Sequence, residues 1–281
     1  MPQNFLYPEF SVLIPVYAKE NPAFLELSLR SILDEQTLLP NEVVIVEDGP
    51  ITTELDAVLG GFEKRYPDIF RRYKLEKNQG MGIAMNYGLE RASCEWVARM
   101  DSDDIAVPQR FERQLEFLSM NPTIDVLGSS IEEFEKEPGD LQRYRNLPET
   151  HDEIVELMKF RNPINHMTVF YRRELASKAG GYWLERYFED YNLWYEMWKA
   201  GARLHNLQDN LVRVRIGNNM VGRRSGYGYF EIEKIFLRKL RKDGFITGVE
   251  YLYLTAVKFA LRILPTPLLE QFYKHFLRKS N

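Results

Sequence analysis

The sequence of 281 residues has 44% hydrophobic and 28% charged residues and a net charge of −4, an ordinary composition for a globular protein with a sizeable core. Its single cysteine, Cys94, excludes an intramolecular disulfide framework and indicates a reducing compartment. No leader pattern follows Met1, and charges and a proline interrupt the apolar tract 249–269, so we expect a cytoplasmic protein with neither signal peptide nor membrane span.

The first hundred residues alternate apolar runs with helical patterns. Strands are predicted at 10–16, 42–46, 69–75 and 96–100, and helices at 22–33, 53–65 and 82–92. Such alternation predicts an α/β fold with a doubly wound, mainly parallel sheet. In sheets of this kind, ligands bind beyond the carboxyl ends of the strands.

The second half mixes shorter elements. Helices are predicted at 109–120, 152–160 and 190–200, and strands at 124–127, 166–171 and 211–216. The polar segment 132–148 is expected to form a hairpin or an exposed loop. We expect one unit over 1–225, made of a nucleotide-binding half (1–105) and an acceptor half (106–225), followed by a helical tail over 226–281.

Polar side chains cluster where three of the predicted strands end. Tyr17 and Glu20 follow the first strand, Asp48 ends the second, and the acidic run 101–104 follows the fourth. Because like charges repel, carboxylates that share one edge need a cation or a ligand between them. The D-x-D triplet in the run is common by chance in turns, but at this edge it favours a Mg²⁺ or Mn²⁺ site.

Two further segments have both a functional and a structural interpretation. The glycine-rich segment 78–86 opens a helix, where backbone N–H groups favour phosphate, but a tight turn into a helix has the same pattern. Glu189 and Asp190 begin an amphipathic helix, where the helix dipole stabilises acids. The functional interpretation is a general base within reach of an acceptor hydroxyl.

In this order the segments resemble glycosyltransferase family 2, inverting enzymes with the GT-A fold, which is a Rossmann-like doubly wound sheet. The resemblance runs from Ser11 to Ile216 and rests on residues 11–17, 47–49, 78–86, 100–104, 162–166, 179–182 and 189–194. It implies a nucleotide-sugar donor, a divalent metal ion (Mn²⁺ or Mg²⁺) and transfer of a hexose to an acceptor hydroxyl.

The resemblance also implies roles on the donor side. Pro15 and Tyr17 would line the base pocket, and Asp48 would form a hydrogen bond with the uracil. Asp103 would bind the metal that bridges the donor diphosphate, with Asp101 near both metal and ribose. The remaining donor-binding candidates are Glu20, Gly80, Asn86, Ser102 and Arg215.

On the acceptor side the resemblance implies that Asp190 is the catalytic base. It would deprotonate the hydroxyl that attacks the anomeric carbon from the face opposite the nucleotide. The acceptor-side candidates beside it are His166, Glu189 and Trp194. The role of His166 stays open between acceptor contact and packing.

Two positions depart from the family pattern. Glu47 stands where many relatives have aspartate, which leaves Asp48 in register. Arg215 stands where many relatives have histidine; it cannot ligate a metal but can neutralise a phosphate. With Arg223 and Arg224 it resembles a basic lid of the exopolysaccharide and O-antigen branch of the family, although a solvated basic loop has the same charge.

The end of the chain is basic. From Lys234 onward there are ten lysines and arginines against three acids, so the net charge is +7 there and −11 before it. Apolar and basic residues interleave over 236–242 and 259–278, which is typical of helices that lie on anionic lipid and equally of helices that cap a core. No nucleic-acid recognition motif is present, so nucleic acid is not expected as a partner.

The sequence therefore predicts transfer of galactose or glucose from a UDP-sugar to a lipid-linked saccharide, such as an undecaprenyl diphosphate sugar, at the inner face of the cell membrane. One alternative is a nucleotidyltransferase, but residues 17–20 lack the glycine-rich basic signature expected after its first strand. Another alternative is a non-catalytic nucleotide-sugar-binding module, against which the presence of both Asp103 and Asp190 argues.

Overall fold

The computed structural model describes residues 7–217 and 225–263 and the backbone of 279–280. Its first half follows the predicted alternation closely. The elements are β1 (Phe10–Val16), α1 (Pro22–Ile32), β2 (Glu42–Glu47), α2 (Thr53–Arg65), β3 (Phe70–Lys74), α3 (Met81–Leu89) and β4 (Trp96–Arg99). The four strands are parallel, in the order β3-β2-β1-β4.

The second half extends the same sheet with mixed strand directions. Its elements are β5 (Ile105–Ala106), α4 (Arg110–Met120), β6 (Val126–Phe134), β7 (Arg143–Arg145), α5 (His151–Met158), β8 (Phe170–Arg172), α6 (Arg173–Lys178), α7 (Glu189–Lys199) and β9 (Leu204–Arg215). Strand β8 lies antiparallel between β4 and β6, and β9 runs parallel to β6. The last elements are α8 (Tyr227–Lys242), α9 (Gly248–Ile263) and β10 (Lys279–Ser280).

Successive strand residues point into two separate cores, as expected for a sheet covered on both faces. Val12 and Ile14 of β1 pack in the core that α1, α2 and α4 cover. Leu13, between them, packs in the core that α3, α7 and α8 cover. The doubly wound α/β fold is therefore confirmed, and its parallel strands end at one common edge.

Three predicted strands have different bounds in the structure. Strand β6 continues to Phe134 because small polar residues of its middle, such as Ser129, are buried and hydrogen-bonded inside the sheet. Strand β9 starts at Leu204 because it pairs with β6 along its whole length. The segment predicted as a strand from 166 begins instead with a 3₁₀ turn, His166–Thr168. The polar segment 132–148 forms a hairpin, since β7 pairs antiparallel with β6.

Helix α8, which follows residue 225, packs on helix α7. Phe236 of α8 is buried, with its ring centroid 4.5 Å from that of Tyr191. Glu233 is also buried, and its carboxylate forms ion pairs with Lys258 at 3.0 Å and with Arg262 at 2.9 Å. These two tail cations therefore face inward, which agrees with the core-capping alternative for this part of the tail.

Other parts of the tail and loop predictions lie outside the described residues, namely 218–224 with its two arginines and 264–278. Within 7–217 and 225–263, no helix combines the length and apolarity that a membrane crossing requires.

Candidate active site

Three aspartates follow β4 at the carboxyl edge of the parallel strands. Asp101, Asp103 and Asp104 each offer a carboxylate oxygen, and these atoms lie within 4.8 Å of one another. Asp104 is buried; its Oδ1 accepts from the Arg215 backbone N–H at 2.9 Å, and its Oδ2 has no hydrogen-bond partner among the described residues. Clustered carboxylate oxygens with a buried orphan atom fit a hard divalent cation such as Mg²⁺ or Mn²⁺.

The electrostatics of this cluster favour a positive ligand. Burial, followed by the nearby charge of Asp101, raises the pKa of Asp103 to about 6. Burial, followed by Asp103, raises the pKa of Glu20 to about 7. The end of β1 and the end of β4 thus come together, as the sequence predicted. Ser102 is buried between them, within hydrogen-bonding reach of Glu20.

Arg99, the last residue of β4, is a central side chain to which sequence reasoning gave no role. It is 1% exposed, forms an ion pair with Asp101 and lies 3.9 Å from the sulfur of Met81 at the start of α3. Its charge acts on Glu20 at one end of the site and on Glu189 at the other. The sequence did contain a signal for this role, namely an arginine in an otherwise apolar strand. A buried cation is costly without an anionic partner, so such an arginine indicates a nearby acid.

The glycine-rich segment is fixed by Asp48 at the end of β2. The two carboxylate oxygens of Asp48 accept from the N–H groups of Gln79 at 2.7 Å and Gly80 at 2.9 Å. Gly80 has a φ of +94° and precedes the first residue of α3. The end of β2 and the N-terminus of α3 therefore lie at the same edge of the sheet, and Asp48 occupies the backbone N–H groups of Gln79 and Gly80.

The two residues expected to line a base pocket lie at the end of β1. Pro15 is buried and pairs with Val46 of the neighbouring strand. Tyr17 comes two residues later and is 37% exposed. The ring of Tyr17 therefore lies at the carboxyl end of β1, and its contact with a nucleotide base stays a prediction.

Asp190 lies in the first turn of α7 and is held on both oxygens. Its Oδ1 accepts from the Tyr191 N–H at 2.8 Å, and its Oδ2 accepts from the Asn162 side chain at 2.6 Å. Burial, followed by the charge of Asp190, raises the pKa of Glu189 to about 7. Asn162 belongs to the segment 162–166, on which the family resemblance partly rests. Its role in orienting Asp190 becomes visible only through this hydrogen bond in the folded chain.

Helix α3 is locked to the loop that leads to Asp190. Asn86 donates to the Tyr182 carbonyl at 2.8 Å and accepts from the Tyr182 N–H at 2.7 Å. A Cβ on Gly82 would overlap the carbonyl oxygen of Trp183. Asn86, expected to bind the donor, therefore uses its amide to join the donor side to the acceptor side.

His166 and Trp194 lie behind Asp190, in a cluster of aromatic rings. His166 Nε2 is 3.2 Å from the Tyr182 hydroxyl, which donates to the Tyr171 hydroxyl at 3.2 Å. Burial, followed by the charge of Arg99, lowers the pKa of His166. Trp194 is 0% exposed, so an acceptor cannot reach it. The predicted contact between Trp194 and the acceptor is therefore wrong, and the indole packs against His166 instead.

Arg215 lies beside the aspartate cluster, where sequence reasoning expected a phosphate contact. Its guanidinium carbon is 3.7 Å from the ring centroid of Phe24 and 4.5 Å from that of Phe134. Its Nε donates to the Asp103 carbonyl at 3.3 Å. The side chain is thus held by two rings next to the site in which a diphosphate would lie.

Comparison with known proteins decides the class of this site. The family model described as "Glycosyl transferase family 2" matches residues 11–180. The chain is 35% identical to the Escherichia coli UDP-Gal:alpha-D-GlcNAc-diphosphoundecaprenol beta-1,3-galactosyltransferase, over 97% of this chain and 98% of that protein. The chain belongs to glycosyltransferase family 2.

Two further similarities place this transferase within the family. It is 38% identical to the amylovoran biosynthesis glycosyltransferase AmsE of Erwinia amylovora, over 94% of this chain and 98% of that protein. Its fold is that of S. aureus TarS 1–349, solved in complex with UDP-GlcNAc, with a TM-score of 0.60 at 22% identity over 96% of this chain and 71% of that one. The predicted family, its GT-A fold and its polysaccharide-biosynthesis branch are confirmed, and the nucleotidyltransferase alternative is not supported.

Proposed function

We propose that the protein is an inverting, metal-dependent hexosyltransferase. It moves galactose or glucose from a UDP-sugar to a hydroxyl of a lipid-linked saccharide diphosphate. The main support for the proposal is that acidic residues of the donor side and of the acceptor side both lie near the buried Arg99. The aspartate cluster is paired with it on the donor side, and Glu189 beside Asp190 lies within its electrostatic range on the acceptor side.

The chain supplies the acid–base chemistry of the step through Asp190. Its carboxylate takes the proton of the acceptor hydroxyl, and the hydroxyl oxygen bonds to the anomeric carbon while the bond from that carbon to the diphosphate breaks. Attack opposite the leaving UDP inverts the anomeric carbon. The hydrogen bond from Asn162 keeps the carboxylate oriented toward the cleft.

The donor side binds and orients the nucleotide. Asp103, with Asp101 and Asp104 beside it, would hold a divalent cation whose charge offsets the charge on the departing diphosphate. Asp48 orders the start of α3, and Tyr17 would stack on the base. The UDP-sugar specificity is supported by the E. coli relative, whose name includes UDP-Gal, and by TarS, which was solved with UDP-GlcNAc.

The lipid-linked acceptor and the membrane location belong to the same proposal. The acceptor is supported by the diphosphoundecaprenol substrate in the name of the E. coli relative. We place the protein at the inner face of the cell membrane, with anionic lipid meeting the tail. The exposed apolar residues of α9 support this location, among them Val249, Leu252 and Tyr253. The division into 1–225 and a tail over 226–281 remains a prediction.

The test of the reaction is UDP release from a panel of UDP- and GDP-sugars, with an α-GlcNAc alkyl diphosphate as acceptor and with or without Mn²⁺. We expect metal-dependent turnover of one UDP-hexose by the wild type and its loss in Asp103→Ala. Equal turnover by this variant, or turnover without any divalent metal, would contradict the assignment of the donor site. For the tail, a variant with the exposed Arg238, Arg241 and Lys242 replaced by Glu should no longer sediment with anionic vesicles, and unchanged sedimentation would contradict that location.

A further inference from the structure

Arg161 stands out among the half-buried basic residues because it has no anionic partner within the described part of the chain. It follows α5, is neither fully exposed nor buried, and its side chain has no ion pair or hydrogen bond with any described residue. The other half-buried or buried lysines and arginines of 7–217 and 225–263 each have an ion pair, a hydrogen bond or another contact, whereas the described contact of the Arg161 guanidinium is an electrostatic one with a phenol, Tyr191. Partial burial of an unpaired guanidinium has a desolvation cost that an anionic ligand would offset.

The electrostatic neighbour of Arg161 among the described residues is a phenol. Burial lowers the pKa of Arg161, and the electrostatic neighbour that opposes this shift is Tyr191, a phenol that is neutral near pH 7. The phenol hydroxyl of Tyr191 is itself committed, since it donates to the Met158 carbonyl at 2.5 Å. The folded chain therefore positions the guanidinium of Arg161 without using it in any described ion pair or hydrogen bond.

The position of Arg161 is on the acceptor side. The next residue, Asn162, donates to Asp190 at 2.6 Å, and Tyr191 lies within electrostatic range of both Asp190 and Arg161. The charges that act on Asp103 are different ones, namely Arg99 and Arg215. Arg99 and Arg215 are therefore the arginines near the proposed donor diphosphate, whereas Arg161 lies near Asp190, the proposed base.

We propose that Arg161 binds the diphosphate of the acceptor and is the residue by which the enzyme prefers a sugar diphosphate to a neutral glycoside. The proposal rests on the proposed function, because it deepens the acceptor assignment. A guanidinium matches phosphate oxygens with two parallel N–H donors, which a lysine at this position would not do. In this proposal the acceptor sugar lies between Asp190, which takes the hydroxyl proton, and Arg161, which holds the phosphate.

The variant that tests this is Arg161→Gln, with Lys159→Gln as the matched control. Lys159 lies two residues away and its ammonium pairs with Glu156 at 2.6 Å, so its loss removes a charge from the same segment without touching the proposed subsite. Each protein is assayed with the α-GlcNAc alkyl diphosphate and with the same sugar as a neutral alkyl glycoside. We expect Arg161→Gln to raise KM for the diphosphate about tenfold to hundredfold and to leave KM for the glycoside and for the UDP-sugar unchanged.

Other outcomes decide against the proposal. Equal increases of KM for both acceptors would show that Arg161 only supports the fold, and an increase of KM for the UDP-sugar alone would assign it to the donor. The thermal midpoint of Arg161→Gln should not fall, because no ion pair is lost. If the wild type glycosylates neither acceptor, the proposed function fails, and calorimetric titration with the alkyl diphosphate decides the question of Arg161 separately. Weaker binding by Arg161→Gln supports the subsite, and equal binding refutes it.

Discussion

Glu189 gives the protein a pH-dependent stability that one substitution should remove. Its carboxyl is largely shielded from water next to Asp190, and its Oε2 has no hydrogen-bond partner among the described residues. Burial, followed by Asp190, raises its pKa to about 7, above the ordinary value of 4.5. The folded state therefore keeps a proton on Glu189 at pH values at which the unfolded chain has lost it.

The sign and the size of the effect follow from this difference in pKa. The stability from this group is fully present below pH 4.5 and is lost as the pH rises through about 7. A pKa difference of this size corresponds to about 3 kcal/mol at most, and screening by the solvent that still reaches the carboxyl reduces it to about 1–2 kcal/mol. Glu189→Gln removes the charge with almost no change in shape, so the variant should lose less stability between pH 5 and pH 8.

The assay is urea unfolding of both proteins at pH 5, 6, 7 and 8. The difference between their unfolding free energies should grow with pH, because other titrating groups contribute equally to both proteins. Glu185→Gln, on the exposed part of the same loop, is the control and should follow the wild type at every pH. Parallel curves for wild type and Glu189→Gln would refute the reasoning.

Three further predictions concern packing and backbone conformation, and urea unfolding checks each of them. Gly82→Ala should destabilise by about 1–3 kcal/mol because its Cβ would overlap the Trp183 carbonyl, whereas Gly61→Ala, in open space within α2, should stabilise by about 0.5–1 kcal/mol. Tyr187 has a φ of +73°, so Tyr187→Gly should be more stable than Tyr187→Ala by about 1–2 kcal/mol, and equal stability would argue against backbone strain there. Glu233→Gln should cost about 3–5 kcal/mol, since it removes the carboxylate charge that pairs with buried Arg262 and half-buried Lys258; a neutral effect would mean that solvent replaces this charge.

The parallel half of the fold was predictable because its signal is local. The strands around Val12 and Val44 are uninterrupted apolar runs, and the helices between them have the expected period. The lengths of β6 and β9 were not predictable, because their buried polar residues are satisfied by distant partners. The Asn165 side chain donates to the backbone carbonyl of Ser129 at 2.8 Å, and the Asn206 side chain donates to the Pro163 carbonyl at 3.0 Å. A sequence pattern counts such residues as polar and ends the strand too early.

The same distinction applies to the candidate site. Asp103 and Asp190 stand at the ends of recognisable elements, so their positions were accessible from the sequence. Arg99 and Asn162 act through contacts that only the folded chain creates. Trp194 lies one helical turn after Asp190 on the same face of α7, yet that turn takes it from the cleft into the core.

The central claim is that one cleft has a metal-dependent donor end at Asp103 and a base at Asp190. Calorimetric titration of UDP with Mn²⁺ into the wild type, Asp103→Asn and Asp190→Asn tests it most directly. We expect Asp190→Asn to bind UDP as the wild type does, and Asp103→Asn to lose the metal-dependent part of the binding. Equal loss of UDP binding in both variants, or normal metal-dependent binding by Asp103→Asn, would contradict this division of the site.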